Sequence, residues 1–419
     1  MFTDLTAWLS YIEQSNPDQM HLGLDHLRPI ADLLAVVQFD RPVITVAGTN
    51  GKGSTIAALE SFLLVAKQRV GSYTSPHLLH FNERIKINGQ PVGDAQLCAA
   101  FSVVEQARKG QWLTYFEWAT LAALWIFKQA ELDVLLLEVG LGGRLDAVNL
   151  VENNISIITG IDYDHQDWLG STLDEIAREK AGIFKIGQIA LCGQRNAPAI
   201  IQQRAVELQL DFFDRQQFGY QKNESHWDWW GKNASGSDIC YLALPHHTVP
   251  FSNLAVAIQA LQFILPSISQ SLIVQGLQRL SLLGRLQRLP IQKNVVVDVA
   301  HNPQSIAYLV KWLQQQSYQK LYLVMGVLAD KDDAAMLQWL LPYVDVWFVA
   351  QLSSARALPV AQLQQRLIDV GAQSVQSYSS LIAAYQQAYA TAGAEDLVLV
   401  CGSFYAVAPI LTLCGADGK

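Results

Sequence analysis

Short apolar segments alternate with segments of helical periodicity along most of the chain. The runs PVITVA, DVLLLEV, NISIITG and QIALCG are rich in β-branched and other large apolar residues and lack a polar face, which is typical of buried parallel strands. The segments STIAALESFLLVAKQ and FEWATLAALWIFKQA instead repeat apolar residues at helical spacing. The first predicts a helix whose buried face is formed by Ile56, Leu59, Phe62, Leu63 and Ala66. Together these patterns predict an α/β fold with a parallel main sheet.

The pattern changes twice further along the chain. Between about Phe218 and Pro250, polar residues and short alternating pieces predict a small antiparallel patch, and two helical segments then continue to about Ser281. A second series of apolar runs follows in NVVVDVA, KLYLVMG, VDVWFVA and DLVLVCG. We therefore predict a P-loop-type parallel sheet domain in residues 1–285, with the antiparallel patch inside it. A second, smaller Rossmann-like α/β domain is predicted in residues 286–419.

A glycine-rich turn lies between a predicted strand and a predicted helix in VITVAGTNGKGST. Glycines let backbone N–H groups approach phosphate oxygens, the helix N-terminus carries about half a positive charge, and Lys52 adds a full one. Ser54 or Thr55 then offers a hydroxyl to a magnesium ion. The motif departs from G-x-x-x-x-G-K-[ST], because Val46 stands at the first glycine position and Gly53 follows Lys52. Nucleotide binding is the predicted function, and a turn that only caps a core helix is the alternative.

Acidic residues follow the neighbouring predicted strands. Glu138 ends the run DVLLLE, and Asp162, Asp164, His165 and Asp167 occupy the loop after NISIITG. Because the carboxyl ends of parallel strands meet at one edge of a sheet, these oxygen ligands are placed to suit a magnesium-nucleotide site. The structural alternatives are a salt bridge for Glu138 and a solvated acidic turn for the loop.

Lys180 follows in the segment REKAGIF. As an ammonium group it would repel a metal ion, so its ordinary role is that of a surface lysine or a salt-bridge partner. A carbamate formed from its amine and carbon dioxide would instead be an anionic oxygen ligand.

The composition narrows the function classes. With 419 residues, 51% of them apolar, the chain is long enough to bury the cores of two or three domains. A net charge of −8 disfavours a sequence-independent nucleic-acid surface, which needs a basic face. The start MFTDLTAWLS does not resemble a signal peptide, no apolar run approaches the ~20 residues of a membrane span, and the five cysteines lack a CxxC pair. We therefore expect a cytoplasmic protein without nucleic-acid or membrane partners.

Taken together, the motifs resemble those of the folylpolyglutamate synthase and dihydrofolate synthase enzymes, within the ATP-dependent Mur ligase superfamily. The resemblance rests on AGTNGKGST, YTSPHLLHFNERIKING, LTYFEWATLAAL, LEVGLGGRLDAVN, DHQDWLG, REKAGIF, DVAHNP and CGSFYAV, which occur in family order over nearly the whole chain. It implies a ligase that uses ATP and two Mg²⁺ ions to join L-glutamate to a pterin-type acid.

The resemblance also implies roles for individual residues. The implied ATP-binding residues are Thr49, Asn50, Gly51, Lys52, Gly53, Ser54, Asn253, Arg285 and Asp298. One magnesium ion is expected at Ser54, Ser75 and Glu138, and a second at His165 and Lys180, the lysine as N6-carboxylysine. The implied catalytic residues are Lys52, His165, Lys180 and His301, and both His301 and Ser403 are expected to meet glutamate. By their positions alone, Asp298, His301 and Ser403 equally suit helix capping.

Three further segments resemble the dihydropteroate site of the bacterial members that make dihydrofolate. They are Gln19, Met20, His21 and Leu22; Thr114, Tyr115, Phe116 and Glu117; and Leu145, Asp146 and Ala147. The structural alternatives for these segments are helix capping, aromatic core packing and an ordinary glycine-rich loop. Because these segments are present, we expect the chain to act on both dihydropteroate and reduced folates, with an acyl phosphate as the hypothetical intermediate. We also expect a monomer.

Four alternatives remain open from the sequence. The first is a monofunctional folylpolyglutamate synthase. The second is a cell-wall amino-acid ligase with a UDP-linked substrate, although only 42 residues precede the first predicted strand, too few for a separate uridine-binding domain. The others are a phosphoryl transferase or NTPase switch, and a regulatory protein that binds nucleotide without catalysis. An assay for an amide product separates the ligases from the last two.

Overall fold

The computed structural model describes residues 2–15, 23–291 and 293–416, and it divides the chain into two compact units, Met1–Ser281 (unit 1) and Leu282–Lys419 (unit 2). The candidate substrate residues Gln19, Met20, His21 and Leu22 lie outside the described ranges. Two hydrogen bonds tie the start of unit 2 to the residues directly after Val297. The Leu286 N–H donates to Asp298 Oδ2 (2.8 Å), and the Val299 N–H donates to the Gly284 carbonyl (2.8 Å).

Unit 1 contains an eight-stranded sheet in the order β4-β3-β2-β5-β1-β6-β7-β8. Six neighbouring strands, from β2 to β8 in this order, are parallel, whereas β3 and β4 form an antiparallel edge. The strands are β1 (Val43–Ala47), β2 (Val70–Tyr73), β3 (Ile85–Ile87), β4 (Gln90–Pro91), β5 (Val134–Glu138), β6 (Ile155–Ile158), β7 (Ile189–Cys192) and β8 (Asp211–Phe213). The four apolar runs first predicted as strands are β1, β5, β6 and β7, so that prediction is confirmed.

Helices connect and flank these strands. They are α1 (Leu5–Gln14), α2 (Arg28–Leu33), α3 (Lys52–Val65), α4 (Asp94–Arg108), α5 (Tyr115–Gln129), α6 (Gln166–Leu169), α7 (Leu173–Ala181), α8 (Ala199–Glu207), α9 (Phe251–Ile264) and α10 (Gln270–Arg279). Helix α3 is buried on more than the single face that its periodicity predicts, since Ala58, Glu60 and Ser61 are buried as well. It lies between the sheet and helices α9 and α10, and the Ser61 hydroxyl donates to the Gly276 carbonyl of α10 (2.8 Å).

The antiparallel patch predicted between Phe218 and Pro250 is present as a separate sheet of three strands, in the order β11-β10-β9. Its strands are β9 (Gly219–Lys222), β10 (His226–Lys232) and β11 (Asp238–Pro245). Trp227 and Trp229 are fully buried, and the Trp229 indole N–H donates to the Ala255 carbonyl of α9 (3.1 Å). The patch therefore packs on the helix that carries Asn253.

Unit 2 contains a six-stranded sheet in the order β12-β13-β17-β14-β15-β16, parallel except for β12. Its strands are β12 (Gln287–Arg288), β13 (Val295–Val297), β14 (Leu321–Met325), β15 (Val346–Ala350), β16 (Val375–Tyr378) and β17 (Leu397–Cys401). Its helices are α11 (Pro303–Leu313), α12 (Asp333–Leu340), α13 (Val360–Asp369), α14 (Leu381–Thr391) and α15 (Phe404–Leu413). The second predicted α/β series is thereby confirmed.

The length and hydropathy of the described helices bear on whether any of them could cross a membrane. Among residues 2–15, 23–291 and 293–416, no helix combines the length and the hydropathy that crossing a bilayer requires.

Candidate active site

The glycine-rich turn joins β1 to α3, as predicted. Gly51 precedes the helix with φ of +90°, in the left-handed region that favours glycine, and Lys52 is the first helical residue. The Lys52 ammonium folds back over the turn and donates to the carbonyls of Gly48 (2.9 Å) and Thr49 (3.2 Å). A full positive charge therefore lies within the turn, at the positive end of the α3 dipole.

The turn is held in place by the loop that follows β6. The Thr49 N–H donates to the Gly160 carbonyl (2.8 Å), and the Thr49 hydroxyl bonds to the backbone of Asp162 (3.0 Å). The Thr159 hydroxyl donates to the Asn50 carbonyl (2.6 Å). These bonds fix which backbone groups of the turn remain available to a ligand.

Asn253 of α9 lies directly against the turn. A Cβ atom added to Gly51 would come within 2.5 Å of the Asn253 side-chain amide, so no larger residue fits at position 51 without movement. Asn253 is itself 6% exposed. The structure thus brings this residue to the turn across a long stretch of sequence.

Glu138 ends β5 with its carboxylate between the turn and the end of β2. The Ser75 N–H donates to Glu138 Oε2 (3.1 Å), and a Cβ on Gly53 would lie 3.5 Å from the same oxygen. The buried Thr55 hydroxyl has no hydrogen-bond partner among the described residues. Ser54, Ser75 and Glu138 are therefore placed around the start of α3, and their hydroxyl and carboxylate oxygens are the donors that Mg²⁺ prefers.

The acidic loop after β6 forms local turns. Asp162 Oδ1 accepts from the Tyr163 N–H (2.8 Å), and Asp164 Oδ1 accepts from the His165 N–H (2.9 Å). His165 has φ of +52° and precedes α6. Within the described ranges, no three His, Cys, Asp or Glu side chains lie close enough to hold a metal ion by themselves.

Lys180, near the end of α7, is a buried lysine rather than a surface one. It is 3% exposed. Burial lowers the pKa of its ammonium group to about 7, the charge of Lys52 acts in the same direction, and Asp164 opposes them. A large fraction of the side chain is therefore a neutral amine near pH 7.

The segment from Thr114 to Glu117 begins α5 with a capping box. The Thr114 hydroxyl accepts from the Glu117 N–H (3.1 Å), and Glu117 Oε2 accepts from the Thr114 N–H (2.7 Å). Glu117 Oε1 also lies 3.0 Å from His26 Nε2. Thr114 and Glu117 thus cap the helix, and Glu117 also contacts His26. Tyr115 and Phe116 take no part in the capping box.

Phe116 lies over the loop that follows Glu138. A Cβ on Gly140 would come within 2.6 Å of its ring, and the ring centroid is 5.9 Å from that of Tyr73. Asp146, in the same loop, accepts from the N–H groups of Gly140 (3.0 Å), Leu141 (2.9 Å) and Val148 (2.9 Å). Burial raises the pKa of the Asp146 carboxyl to about 6, although these bonds favour its charged form. Asp146 therefore shapes the loop, with Leu145 half-buried and Ala147 buried beside it.

The candidate residues of unit 2 cluster around Phe404. The Arg285 guanidinium lies 5.6 Å from the Phe404 ring centroid, and the His301 ring lies 5.9 Å from it. Both Asp298 oxygens accept backbone N–H groups, and burial raises the pKa of this carboxyl. Ser403 is the N-cap of α15 and accepts from the Tyr405 N–H (3.1 Å), so the capping role that its position suggested is present.

Sequence reasoning assigned no role to three residues that shape this site. Thr159 and Gln194 hold the turn and the loop beside it, since Gln194 Oε1 accepts from the Ile161 N–H (2.5 Å). Arg84 is buried next to the start of α5. Thr159 could have been noticed because it is a polar residue directly after a buried strand. No local sequence pattern distinguishes Gln194 or Arg84.

Comparison with known proteins agrees with this geometry. Residues 284–404 match the family described as Mur ligase, glutamate ligase domain. The chain is 40% identical to the dihydrofolate synthase/folylpolyglutamate synthase of Escherichia coli (strain K12), over 98% of this chain and 96% of that protein. It is 37% identical to the protein of the same name from Haemophilus influenzae (strain ATCC 51907 / DSM 11121 / KW20 / Rd), over 96% of each.

Solved structures give the same result. The structure of E. coli FolC in complex with DHPP and ADP superposes with a TM-score of 0.93 at 39% identity, covering 99% of each chain. The bifunctional folylpolyglutamate synthase/dihydrofolate synthase of Yersinia pestis, complexed with AMPPNP and Mn ion, gives 0.90 at 40% identity over 98% of each chain. The chain therefore belongs to the dihydrofolate synthase/folylpolyglutamate synthase family.

Proposed function

We propose that this chain is an ATP-dependent ligase that joins L-glutamate to dihydropteroate, forming dihydrofolate, and to reduced folates, extending their glutamate tails. One observation carries the proposal: the Lys52 turn, Asn253 and the Glu138 carboxylate lie together at the carboxyl ends of β1, β2 and β5. That arrangement suits a nucleotide whose terminal phosphoryl group is transferred. Relatives with 37–40% identity carry the names of both activities.

The nucleotide site that we propose in unit 1 consists of the turn from Thr49 to Ser54 together with Asn253. In unit 2, Arg285 and Asp298 are assigned to nucleotide binding by resemblance alone. Backbone N–H groups of the turn and Lys52 contact the phosphates. The bonds from Thr159 and Asp162 to the turn support this role, because a turn held from behind presents its donors without further ordering.

We assign one magnesium ion to Ser54, Ser75 and Glu138 and a second to His165 and Lys180. The ions would supply electrostatic stabilisation of the charge on the transferring phosphoryl group. The position of the Glu138 carboxylate supports the first site, because it accepts from the Ser75 N–H (3.1 Å) and its Oε2 lies beside Gly53 at the start of α3. Burial and the lowered pKa of Lys180 support a carbamate at the second, since only the neutral amine reacts with carbon dioxide.

The acceptor acid is proposed to bind between the start of α5 and the loop after β5. Tyr115 and Phe116 supply aromatic surface there, and Leu145, Asp146 and Ala147 form the facing loop. A flat heteroaromatic ring system suits such walls, because offset stacking adds to the burial of apolar area. The segment from Gln19 to Leu22 is assigned to the same site by its resemblance alone.

The reaction proceeds in two steps. The acceptor carboxylate attacks the γ-phosphorus of ATP, ADP leaves, and an acyl phosphate forms while Lys52 offsets the charge of the transferring group. The amine of glutamate then attacks the acyl carbon, loses a proton, and the tetrahedral intermediate collapses to an amide and inorganic phosphate. We assign the proton acceptor as His301, whose Nδ1 lies 2.8 Å from the Val299 carbonyl. With Nδ1–H donated to that oxygen, Nε2 is the basic nitrogen of the ring.

Glutamate is assigned to unit 2 near His301 and Ser403. Arg285, His301 and Phe404 lie together there, which supports a site that combines a cation with a base. We further propose that the chain is a cytoplasmic monomer that acts on small molecules. Its net charge of −8 disfavours a nucleic-acid partner.

The decisive experiment is a product assay with dihydropteroate and tetrahydrofolate in parallel, each with ATP, magnesium and labelled glutamate. We expect an amide product from both acids, with one ADP and one phosphate per amide. Product from tetrahydrofolate alone would establish the monofunctional alternative, and phosphate without amide would establish a phosphoryl transferase. With an ¹⁸O-labelled acceptor carboxylate, one ¹⁸O should appear in the released phosphate, because that oxygen bridges carbon and phosphorus in the acyl phosphate.

The position of Phe116 gives a separate prediction. Gly140→Ala places a methyl group within contact of the Phe116 ring and forces it to move, at a cost of about 1–3 kcal/mol. We expect the KM for the acceptor acid to rise about tenfold or more, with the KM for ATP within about twofold. Gly93→Ala, where a Cβ meets only the end of the Gln96 side chain at 4.0 Å, is the matched control. An unchanged KM for both acids would place Phe116 outside the acceptor site.

A further inference from the structure

Arg84 is a buried arginine that has no carboxylate partner among residues 2–15, 23–291 and 293–416. The residue is 8% exposed. Buried guanidinium groups in proteins are normally paired with an anion, because removing a charge from water without a partner is costly. In the described part of the chain, the side-chain contacts of Arg84 are with His77, Tyr73 and two aromatic rings.

None of these neighbouring side chains carries a negative charge. Arg84 Nε donates to His77 Nδ1 (2.8 Å), which requires an imidazole without a proton at that nitrogen. The guanidinium carbon lies 5.5 Å from the ring centroids of both Phe81 and Tyr115. The aromatic faces favour a cation, but by much less than the cost of burying a charge.

The adjacent carboxylate does not supply the missing charge. Glu83 accepts from the backbone N–H groups of Leu78 (2.7 Å), Leu79 (2.8 Å) and His80 (2.6 Å). Both oxygens of the Glu83 carboxylate therefore accept hydrogen bonds from the backbone of this loop. Arg108 shows the contrasting arrangement, because it lies over Trp118 (5.3 Å) but is paired with Glu105 (2.8 Å).

The location of Arg84 connects the candidate acceptor site with the Glu138 cluster. Its carbonyl accepts from the N–H of Thr74, the residue before Ser75, and the Ser75 N–H donates to Glu138. On its other side lies Tyr115, the first residue of α5, where the helix dipole adds further positive potential. The unmatched cation is thus positioned between the aromatic wall and the place of phosphoryl transfer.

We propose that Arg84 binds the carboxylate of the acceptor acid, the group that is phosphorylated in the first step; the proposal rests on the ligase function proposed above. A guanidinium fork holds a carboxylate in a fixed plane, which orients it for attack. The charge of Arg84 offsets the repulsion between this carboxylate and the triphosphate. Dihydropteroate and folates with a glutamate tail both present a carboxylate to this position, so one arginine serves both acceptors.

The test compares equilibrium binding of dihydropteroate with that of its carboxamide analogue, which has the same ring system and no charge at the reacting end. We expect the wild-type protein to bind the acid about 10- to 100-fold more tightly than the carboxamide, the range for hydrogen bonds to charged groups. Arg84→Gln should weaken binding of the acid by this factor and change binding of the carboxamide by no more than about twofold. Arg108→Gln, the matched control, should leave both affinities unchanged.

Several outcomes would overturn the assignment. If Arg84→Gln weakens binding of the acid and of the carboxamide equally, Arg84 has a structural role. If the wild-type protein binds the acid and the carboxamide with equal affinity, the assignment is wrong, and this result does not depend on whether the variant folds. Arg84→Lys keeps the charge and should retain part of the preference for the acid. If the wild-type protein forms no amide in the product assay, the proposed ligase function is wrong. If it forms the amide and Arg84→Gln still prefers the acid over the carboxamide by the full factor, only the role of Arg84 is wrong.

Discussion

Lys52→Ala is expected to lower kcat about 100- to 1000-fold, which corresponds to ~3 kcal/mol for the loss of one charged donor to the transferring group. The Lys52 ammonium already lies within the turn, bonded to the carbonyls of Gly48 and Thr49. It therefore needs little reorganisation to reach a phosphate, and alanine removes both the charge and its placement. Steady-state measurement of ATP-dependent amide formation gives kcat and the KM for ATP.

The control for this prediction is Lys311→Ala, which removes an exposed lysine from a helix of unit 2 and should leave kcat unchanged. Circular dichroism and thermal unfolding of both variants separate a loss of chemistry from a loss of folded protein. Full turnover by folded Lys52→Ala would refute the assignment of the turn as the site of phosphoryl transfer.

Lys180→Ala is expected to lower activity at least about 100-fold, because even the partners of metal ligands typically contribute about 10- to 100-fold. Small carboxylates such as formate and acetate should restore part of that loss by occupying the place of the carbamate. With a pKa of about 7, this lysine has enough neutral amine to react with carbon dioxide. At its usual pKa, a lysine is only ~0.03% neutral at pH 7, whereas here about half of the amine is neutral.

A direct readout accompanies the rescue experiment. Protein equilibrated with ¹³C-bicarbonate should show one carbamate resonance that is missing from Lys180→Ala, and the signal should strengthen as pH rises through 7, because the neutral amine is the reacting form. Carboxylates should not rescue Lys52→Ala, which serves as the control for unspecific activation. Absence of the resonance together with absence of rescue would remove Lys180 from the proposed metal site.

The parts of the fold that the sequence predicted share a local signature. Strands β1, β5, β6 and β7 are uninterrupted apolar runs, because their residues are covered by helices on both faces of the sheet. Strands β2 and β16 were not identified, since VGSY and VQSY are short and half polar. They are strands because neighbouring strands bond to them, which is a property of the folded sheet.

The candidate site likewise has one part that the local sequence predicts and another part that it does not. The turn around Lys52 is contiguous in the chain, and its glycines, lysine and following helix predict its conformation directly. Asn253 and Ser75 were named only through resemblance, because no local pattern places them near the turn. The capping box of Thr114 and Glu117 became visible only from its hydrogen bonds, whereas the position of Ser403 had already suggested a helix cap.

The amino-acid sequence by itself determined the succession of strands and helices, the two α/β series and the glycine-rich turn before α3, because periodicity and glycine chemistry act over a few residues. Tertiary structure decided that Asn253 covers Gly51, that Lys180 is buried near Lys52, and that Arg84 lacks a carboxylate partner among the described residues. These properties depend on which distant segments pack together. Burial and charge pairing are set by that packing, and they in turn set the chemistry of each group.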